Sequence, residues 1–185
     1  EVYTRFAEEA EPRLRSVALA ELLRTYRAEH ANILGALEWS LTHEPMGGLR
    51  LAAAASIYWE HQSLLPLGRQ WLEMLLAAGG EAGAQHRSGA GAVARAKALT
   101  RLANFAAVGG DFAAALRFGP EGLDLYRQIG DNQDLVWALK IAGATAVLTG
   151  DYPAAAAHFE EAIALAEAAG DTAELLALTN NLGVT

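Results

Sequence analysis

Residues 130–171 read GDNQDLVWALKIAGATAVLTGDYPAAAAHFEEAIALAEAAGD. A Gly-Asp pair stands at each end of this stretch and at its middle, and a further pair, Gly110-Asp111, comes before it. Glycine readily takes the left-handed conformation that ends a helix, and an aspartate side chain accepts amide hydrogen bonds at the start of the next one. The segments between the pairs carry apolar residues at spacings of three and four. The stretch therefore predicts helices of about 18 residues joined by tight turns.

The same markers repeat every forty residues. Gly110-Asp111-Phe112 returns as Gly150-Asp151-Tyr152, and small or apolar residues keep the same offset at Leu99/Leu139, Ala103/Gly143/Gly183, Ala106/Ala146, Ala115/Ala155 and Leu135/Leu175. A fixed period of this length predicts stacked helix pairs. The first (A) helices are expected at 91–109, 131–149 and 171–185, and the second (B) helices at 111–129 and 151–169. Gly143 and Gly183 are expected where helices cross closely, and Gly119-Pro120 is expected to bend or break its B helix.

The front half of the chain follows the period less closely. We expect residues 1–44 to be an N-terminal helical segment, in which 17–43 form one long helix or two short ones. An irregular first helix pair is predicted at 45–80, and a glycine-rich loop at 81–90. The repeats would then occupy 91–185, with the last one truncated. The chain is accordingly predicted to be all-α, without strands.

The composition argues against several classes of function. The net charge is −8, from 14 basic and 22 acidic residues without a basic cluster, which disfavours direct nucleic-acid binding. The longest apolar stretch is too short for a membrane span. There is no cysteine, which fits a cytoplasmic location, and the five histidines lack metal-ligand spacing.

No phosphate-binding loop or nucleophile motif is present, so we predict no enzyme activity, no catalytic or metal-binding residues and no cofactor. The acidic residues Glu8, Glu9 and Glu11 are interpreted as a solvated face.

Inside the forty-residue units, Leu139, Ala142, Gly143, Ala146, Ala155, Phe159 and Ala162 resemble the tetratricopeptide pattern. Residues 28–39, AEHANILGALEW, and 68–73, GRQWLE, resemble landmarks of bacterial STAND-class ATPase transcriptional regulators of the LuxR type or a related type. The resemblance implies a right-handed superhelical α-solenoid of antiparallel helix pairs. It also implies a role in signal transduction and transcription regulation, in which the repeats control neighbouring domains of a longer chain.

A partner-binding groove is predicted on the concave face, which the A helices line in tetratricopeptide arrays. Cations, amides and a tryptophan suit a carboxylate-bearing peptide or a hydroxylated small ligand. We therefore predict that a protein segment or a small-molecule inducer binds there. The candidate residues are six with polar side chains and one tryptophan: Lys97, Arg101, Asn104, Trp137, Lys140, Asn180 and Asn181.

Two functions remain open at this point. The first is a non-catalytic scaffold that acts as a ligand- or protein-binding sensor or regulatory domain. The alternative is a purely structural spacer or oligomerisation module with an empty groove. The apolar side chains of 171–185 exceed what one contact surface can bury, so we also expect either a fraying C-terminus or a homodimer through this truncated helix.

Overall fold

The computed structural model describes residues 1–11, 19–84 and 89–183. These residues form helices and connecting turns without a strand, as the repeat pattern predicted. The elements are α1 Val2–Ala10, α2 Leu19–His43, α3 Pro45–His61, α4 Leu65–Ala84, α5 Gly89–Val108, α6 Phe112–Ile129, α7 Asn132–Thr149, α8 Tyr152–Ala169 and α9 Thr172–Leu182. Helices α3 to α8 stack as three consecutive pairs, and each pair packs on the next to form a helical solenoid. The predicted A helices correspond to α5, α7 and α9, and the predicted B helices to α6 and α8. Helix α9 ends at Leu182, short of the predicted 185, and 184–185 lie outside the described residues.

The Gly-Asp turns have the predicted geometry. The glycines at 110, 130, 150 and 170 have φ angles of 80°, 78°, 78° and 71°, the left-handed region in which a side chain is strained. Each following aspartate caps the next helix; Asp151, for example, accepts a hydrogen bond from the Ala154 amide at 3.1 Å. At Asp111 the Ala114 amide and the Arg69 guanidinium hold the pKa of the carboxyl below its usual range. These local interactions explain why the helix boundaries follow the sequence markers.

Three expectations about helix continuity are corrected by the structure. Helix α2 is continuous, so the two-helix alternative is wrong. The predicted loop at 81–90 is too long, since α4 reaches Ala84 and α5 begins at Gly89, while 85–88 lie outside the described residues. Helix α6 runs unbroken through Pro120. Proline costs about 3 kcal/mol in a helix interior. Burial of Leu123 and Tyr126 in the following turns offsets that cost.

Two hydrophobic cores share helix α5. The front core contains Trp59 and Tyr26 and takes Leu102 and Phe105 from α5. The rear core contains Leu139 and Phe159, among others, and takes Ala96 from the same helix. Because α5 contributes to both cores, it connects the irregular front to the regular repeats.

The two glycines expected at close helix crossings have different environments. A Cβ atom at Gly143 would lie 2.5 Å from the ring of Phe159, so α7 and α8 do cross closely there. Gly183 is exposed at the end of α9, and a Cβ there would meet only backbone oxygens of that helix. No other helix of the described residues lies within 4 Å of that Cβ position, so the crossing expected at Gly183 stays a prediction.

Candidate functional site

Two stacked side chains, an arginine and a tryptophan, connect two repeats at the centre of the predicted groove. The Arg101 guanidinium of α5 lies over the Trp137 ring of α7, with its carbon 4.0 Å from the ring centroid. Arg101 is only 2% exposed, although arginine is rarely buried without compensating charges. The cation–π contact supplies part of that compensation and holds one face of the tryptophan. The A helices α5 and α7 thus meet through these two predicted residues.

Two carboxylates from the front of the chain neutralise the α5 cations. Glu11, just after α1, places Oε2 2.8 Å from Lys97 Nζ and Oε1 3.8 Å from an Arg101 nitrogen. Glu60, near the end of α3, accepts a hydrogen bond from Asn104 at 3.1 Å and lies 3.5 Å from Arg101. Asp134 adds a third acidic group 3.9 Å from Lys97. This part of the groove is therefore a closed charge network, which we call the Arg101 cluster (Glu11, Glu60, Lys97, Arg101, Asn104, Asp134 and Trp137).

Helix α1 brings the first of these carboxylates into the groove. It packs on α3 through the buried residues Ala7 and Ala10. The hydroxyl of Tyr26 donates a hydrogen bond to the Ala7 carbonyl at 3.4 Å, and burial raises the pKa of this tyrosine. Glu8 is paired with Arg50 through two hydrogen bonds of 2.8 Å. The N-terminal helix thus covers the α3–α5 end of the face formed by the A helices.

Beyond Trp137 the groove opens into a pocket of 550 Å³, which we call the Trp137 pocket. Lys140 lies in it and is bound to Glu174 of α9 at 2.6 Å. Amides and carboxylates lie beside apolar side chains, so the pocket can both hydrogen-bond a ligand and pack against it. The lining residues are Asn132, Gln133, Val136, Trp137, Lys140, Leu165, Ala166, Ala169, Asp171 and Glu174.

The structure brings five of the seven predicted groove residues together. Lys97, Arg101, Asn104 and Trp137 belong to the Arg101 cluster, and Lys140 follows in the adjoining pocket. Asn180 and Asn181 lie farther along α9, exposed and half-buried, and neither lines that pocket. We therefore do not include them in the candidate site.

The acidic partners of the groove were missed by sequence reasoning. Glu11 was interpreted as part of a solvated face, but it is 7% exposed and bound to Lys97, which is 86 positions away in the chain. No pattern in the neighbouring sequence indicated that Glu60 or Glu174 would form an ion pair, because their partners lie in other helices. Only the packing of α1, α3 and α9 against the repeats shows that the predicted cations are already paired.

The geometry defines the class of protein as a helical-repeat scaffold with a grooved face. Comparison with known families supports this class: residues 94–168 match the family described as tetratricopeptide repeat. The match spans most of α5, all of α6 and α7, and α8 except for its last residue, which is the regular part of the solenoid. Tetratricopeptide repeats are non-catalytic scaffolds that mediate protein–protein interactions. No curated protein matches the chain. In the described ranges, no helix is both long enough and apolar enough to cross a membrane.

Proposed function

We propose that this chain is a non-catalytic regulatory module that binds a segment of a partner protein in the Trp137 pocket. The observation that carries the proposal is the open pocket beside a tryptophan that Arg101 holds in place. A tryptophan with a fixed ring offers a large apolar surface at little cost in conformational entropy. A spacer with an empty groove has no need of such a pocket.

The lining indicates what the partner segment carries. An apolar side chain would pack on Val136, Trp137 and Leu165, and backbone groups of the segment would bond to Asn132 and Gln133. Lys140 already has a carboxylate partner in Glu174. An acidic residue of the segment would therefore compete with Glu174 for Lys140. An amphipathic acidic peptide fits these three requirements.

The module is proposed to act inside a longer regulatory protein of the cytoplasm. The resemblance of residues 28–39 and 68–73 to STAND-class regulators supports this context, and a chain without cysteine fits a reducing compartment. Binding of a segment would then be sensed by neighbouring domains. A small-molecule inducer in the same pocket is the second candidate, since 550 Å³ falls within the usual range for ligand pockets.

The test is selection of peptides from a random 12-residue display library on the full 185-residue chain, followed by calorimetry. We expect Trp137→Ala and Lys140→Ala each to weaken the selected peptides at least about tenfold, which corresponds to about 1.4 kcal/mol. Trp39→Ala is the matched control, because Trp39 is exposed on α2 and stacks only on His43 in the described contacts. Failure to select any peptide, or equal binding by the Trp137 and Trp39 variants, would favour the spacer.

A further inference from the structure

A second pocket lies on the other side of α7, between α6, α7 and the start of α8. Its volume is 210 Å³, it is half open, and its walls are mostly apolar. It shares no lining residue with the Trp137 pocket. We call it the α6–α7 pocket, and the residues used below are Ala103, Gly119, Pro120, Ala138, Ala142 and His158.

The pocket exists because three large residues of the repeat are replaced by small ones. At the forty-residue offset, Gly119 stands where the next unit has Phe159. In the same register, Ala138 and Ala142 stand where that unit has Leu178 and Leu182. Phe159 and Leu178 are 1% and 0% exposed and fill the α7–α8–α9 junction. The equivalent volume at the α5–α6–α7 junction is therefore left without side chains.

The backbone of α5 and α6 does not close this volume. The helices approach until a Cβ at Gly119 would lie 3.7 Å from the Ala103 methyl group, which is ordinary van der Waals contact. At Gly122 the two helices are already so close that an added Cβ would lie 2.7 Å from the Thr100 hydroxyl oxygen. The space lined by Gly119, Ala138 and Ala142 remains open between α6 and α7.

The rim of the pocket carries little free charge. Arg127 forms a forked pair with Glu161, with hydrogen bonds of 3.2 and 2.7 Å. Burial lowers the pKa of His158 below its ordinary value of 6.5, against the opposing effect of Glu161, so the imidazole is neutral at pH 7. Pro120 has no N–H to donate to the Leu116 carbonyl at the same rim. Asp124 and Asp151 also line the pocket; Asp124 lies 3.5 Å from Arg127, and Asp151 accepts a hydrogen bond from the Ala154 amide at 3.1 Å. These rim charges thus have protein partners, and the rim can exchange a hydrogen bond with a neutral ligand.

We propose that the α6–α7 pocket binds a small uncharged aromatic compound, whose ring occupies the volume that Phe159 fills in the following unit. Its size agrees with this class, because a dry apolar cavity of about 150 Å³ is enough to bind benzene. A single hydroxyl or ring N–H on the ligand would reach His158 or the Leu116 carbonyl at the rim. The site is independent of the peptide site, because the two pockets lie on different sides of α7.

Indole is the probe for this proposal, titrated into the full chain by calorimetry and by isotope-filtered NMR. We expect binding with a dissociation constant below about 1 mM. We also expect nuclear Overhauser contacts from the indole ring to the methyl groups of Ile141 and Ala142, which line the pocket. Ala142→Phe, which fills the pocket, should weaken indole at least tenfold. The matched control is Ala144→Phe, because Ala144 is exposed on the same helix and should leave binding unchanged.

The NMR contacts keep the test decisive if Ala142→Phe unfolds the chain. No binding at 1 mM indole would overturn the proposal, as would contacts to the Trp137 pocket in place of Ile141. Equal binding by a folded Ala142→Phe variant would overturn it too. None of these results bears on peptide binding, which Trp137→Ala and Lys140→Ala test separately.

Discussion

At the scale of single residues, small side chains decide how closely the helices of a pair approach. Gly143 allows the Phe159 ring to lie directly against α7, and this ring is almost completely buried. Gly35, in the middle of α2, is exposed, and a Cβ there would meet nothing within 4 Å. The two helical glycines therefore have opposite roles: one is required by packing, and the other is only a weak helix former.

We expect Gly143→Ala to lower the free energy of unfolding by about 1–3 kcal/mol, because the added methyl group overlaps the Phe159 ring. Gly35→Ala should raise it by about 0.5–1 kcal/mol through helix propensity alone. Urea denaturation of the two variants beside the parent chain measures both changes. Equal effects of the same sign would show that crossing distance is not the reason for the glycine at 143.

At the scale of helices, α6 and α8 have the same length and the same type of cap but differ in where they carry proline. Pro153 lies in the first turn of α8, where the missing N–H has no helical acceptor. Pro120 lies in the interior of α6, where it removes one hydrogen bond of the helix. The helix nevertheless continues, because its second half is anchored by Leu123 and Tyr126 in the core.

Pro120→Ala should therefore raise the free energy of unfolding by about 1–3 kcal/mol, since it restores a hydrogen bond to an unbroken helix. Pro153→Ala is the control and should be neutral or lower stability by less than about 1 kcal/mol, through added freedom of the unfolded chain. Thermal unfolding followed by circular dichroism compares the two. A loss of stability in Pro120→Ala would mean that the helix is packed around the proline ring.

At the scale of the whole molecule, the last helix presents different faces to the repeat array and to its surroundings. Leu178 is buried against α8, whereas Leu176 is 76% exposed, the largest value among the exposed large hydrophobic side chains of the described ranges. Leu148, near the end of α7, is 57% exposed. The sequence predicts either a fraying C-terminus or a homodimer through α9. Such a homodimer would bury Leu176 and leave Leu148 outside the interface.

Leu176→Glu should accordingly shift the chain toward the monomer in analytical ultracentrifugation, with at least a tenfold increase in the dimer dissociation constant. Leu148→Glu introduces the same charge on another helix and should leave the association unchanged. A parent chain that is monomeric at all accessible concentrations would contradict the prediction. An equal effect of both variants would show that association is not specific to α9.

The helix boundaries at the Gly-Asp turns and the repeat period were determined by the sequence alone. Each Gly-Asp turn is specified by interactions among neighbouring residues, such as the Asp151 side chain and the Ala154 amide. The close crossing at Gly143 was predictable for the same reason, since a glycine in a helix interior is costly without a packing benefit. The match of residues 94–168 to tetratricopeptide repeats agrees with these locally determined features.

Only the tertiary structure decided what the groove and the second pocket contain. Arg101 stacks on Trp137, and Glu11, just after α1, reaches Lys97 and Arg101 from 86 and 90 positions away. The α6–α7 pocket likewise depends on how α6, α7 and α8 pack around the small residues Gly119, Ala138 and Ala142. The burial and pairing of a side chain depend on every helix that packs around it. A local sequence pattern therefore cannot predict which carboxylate from a distant helix will pair with a given cation.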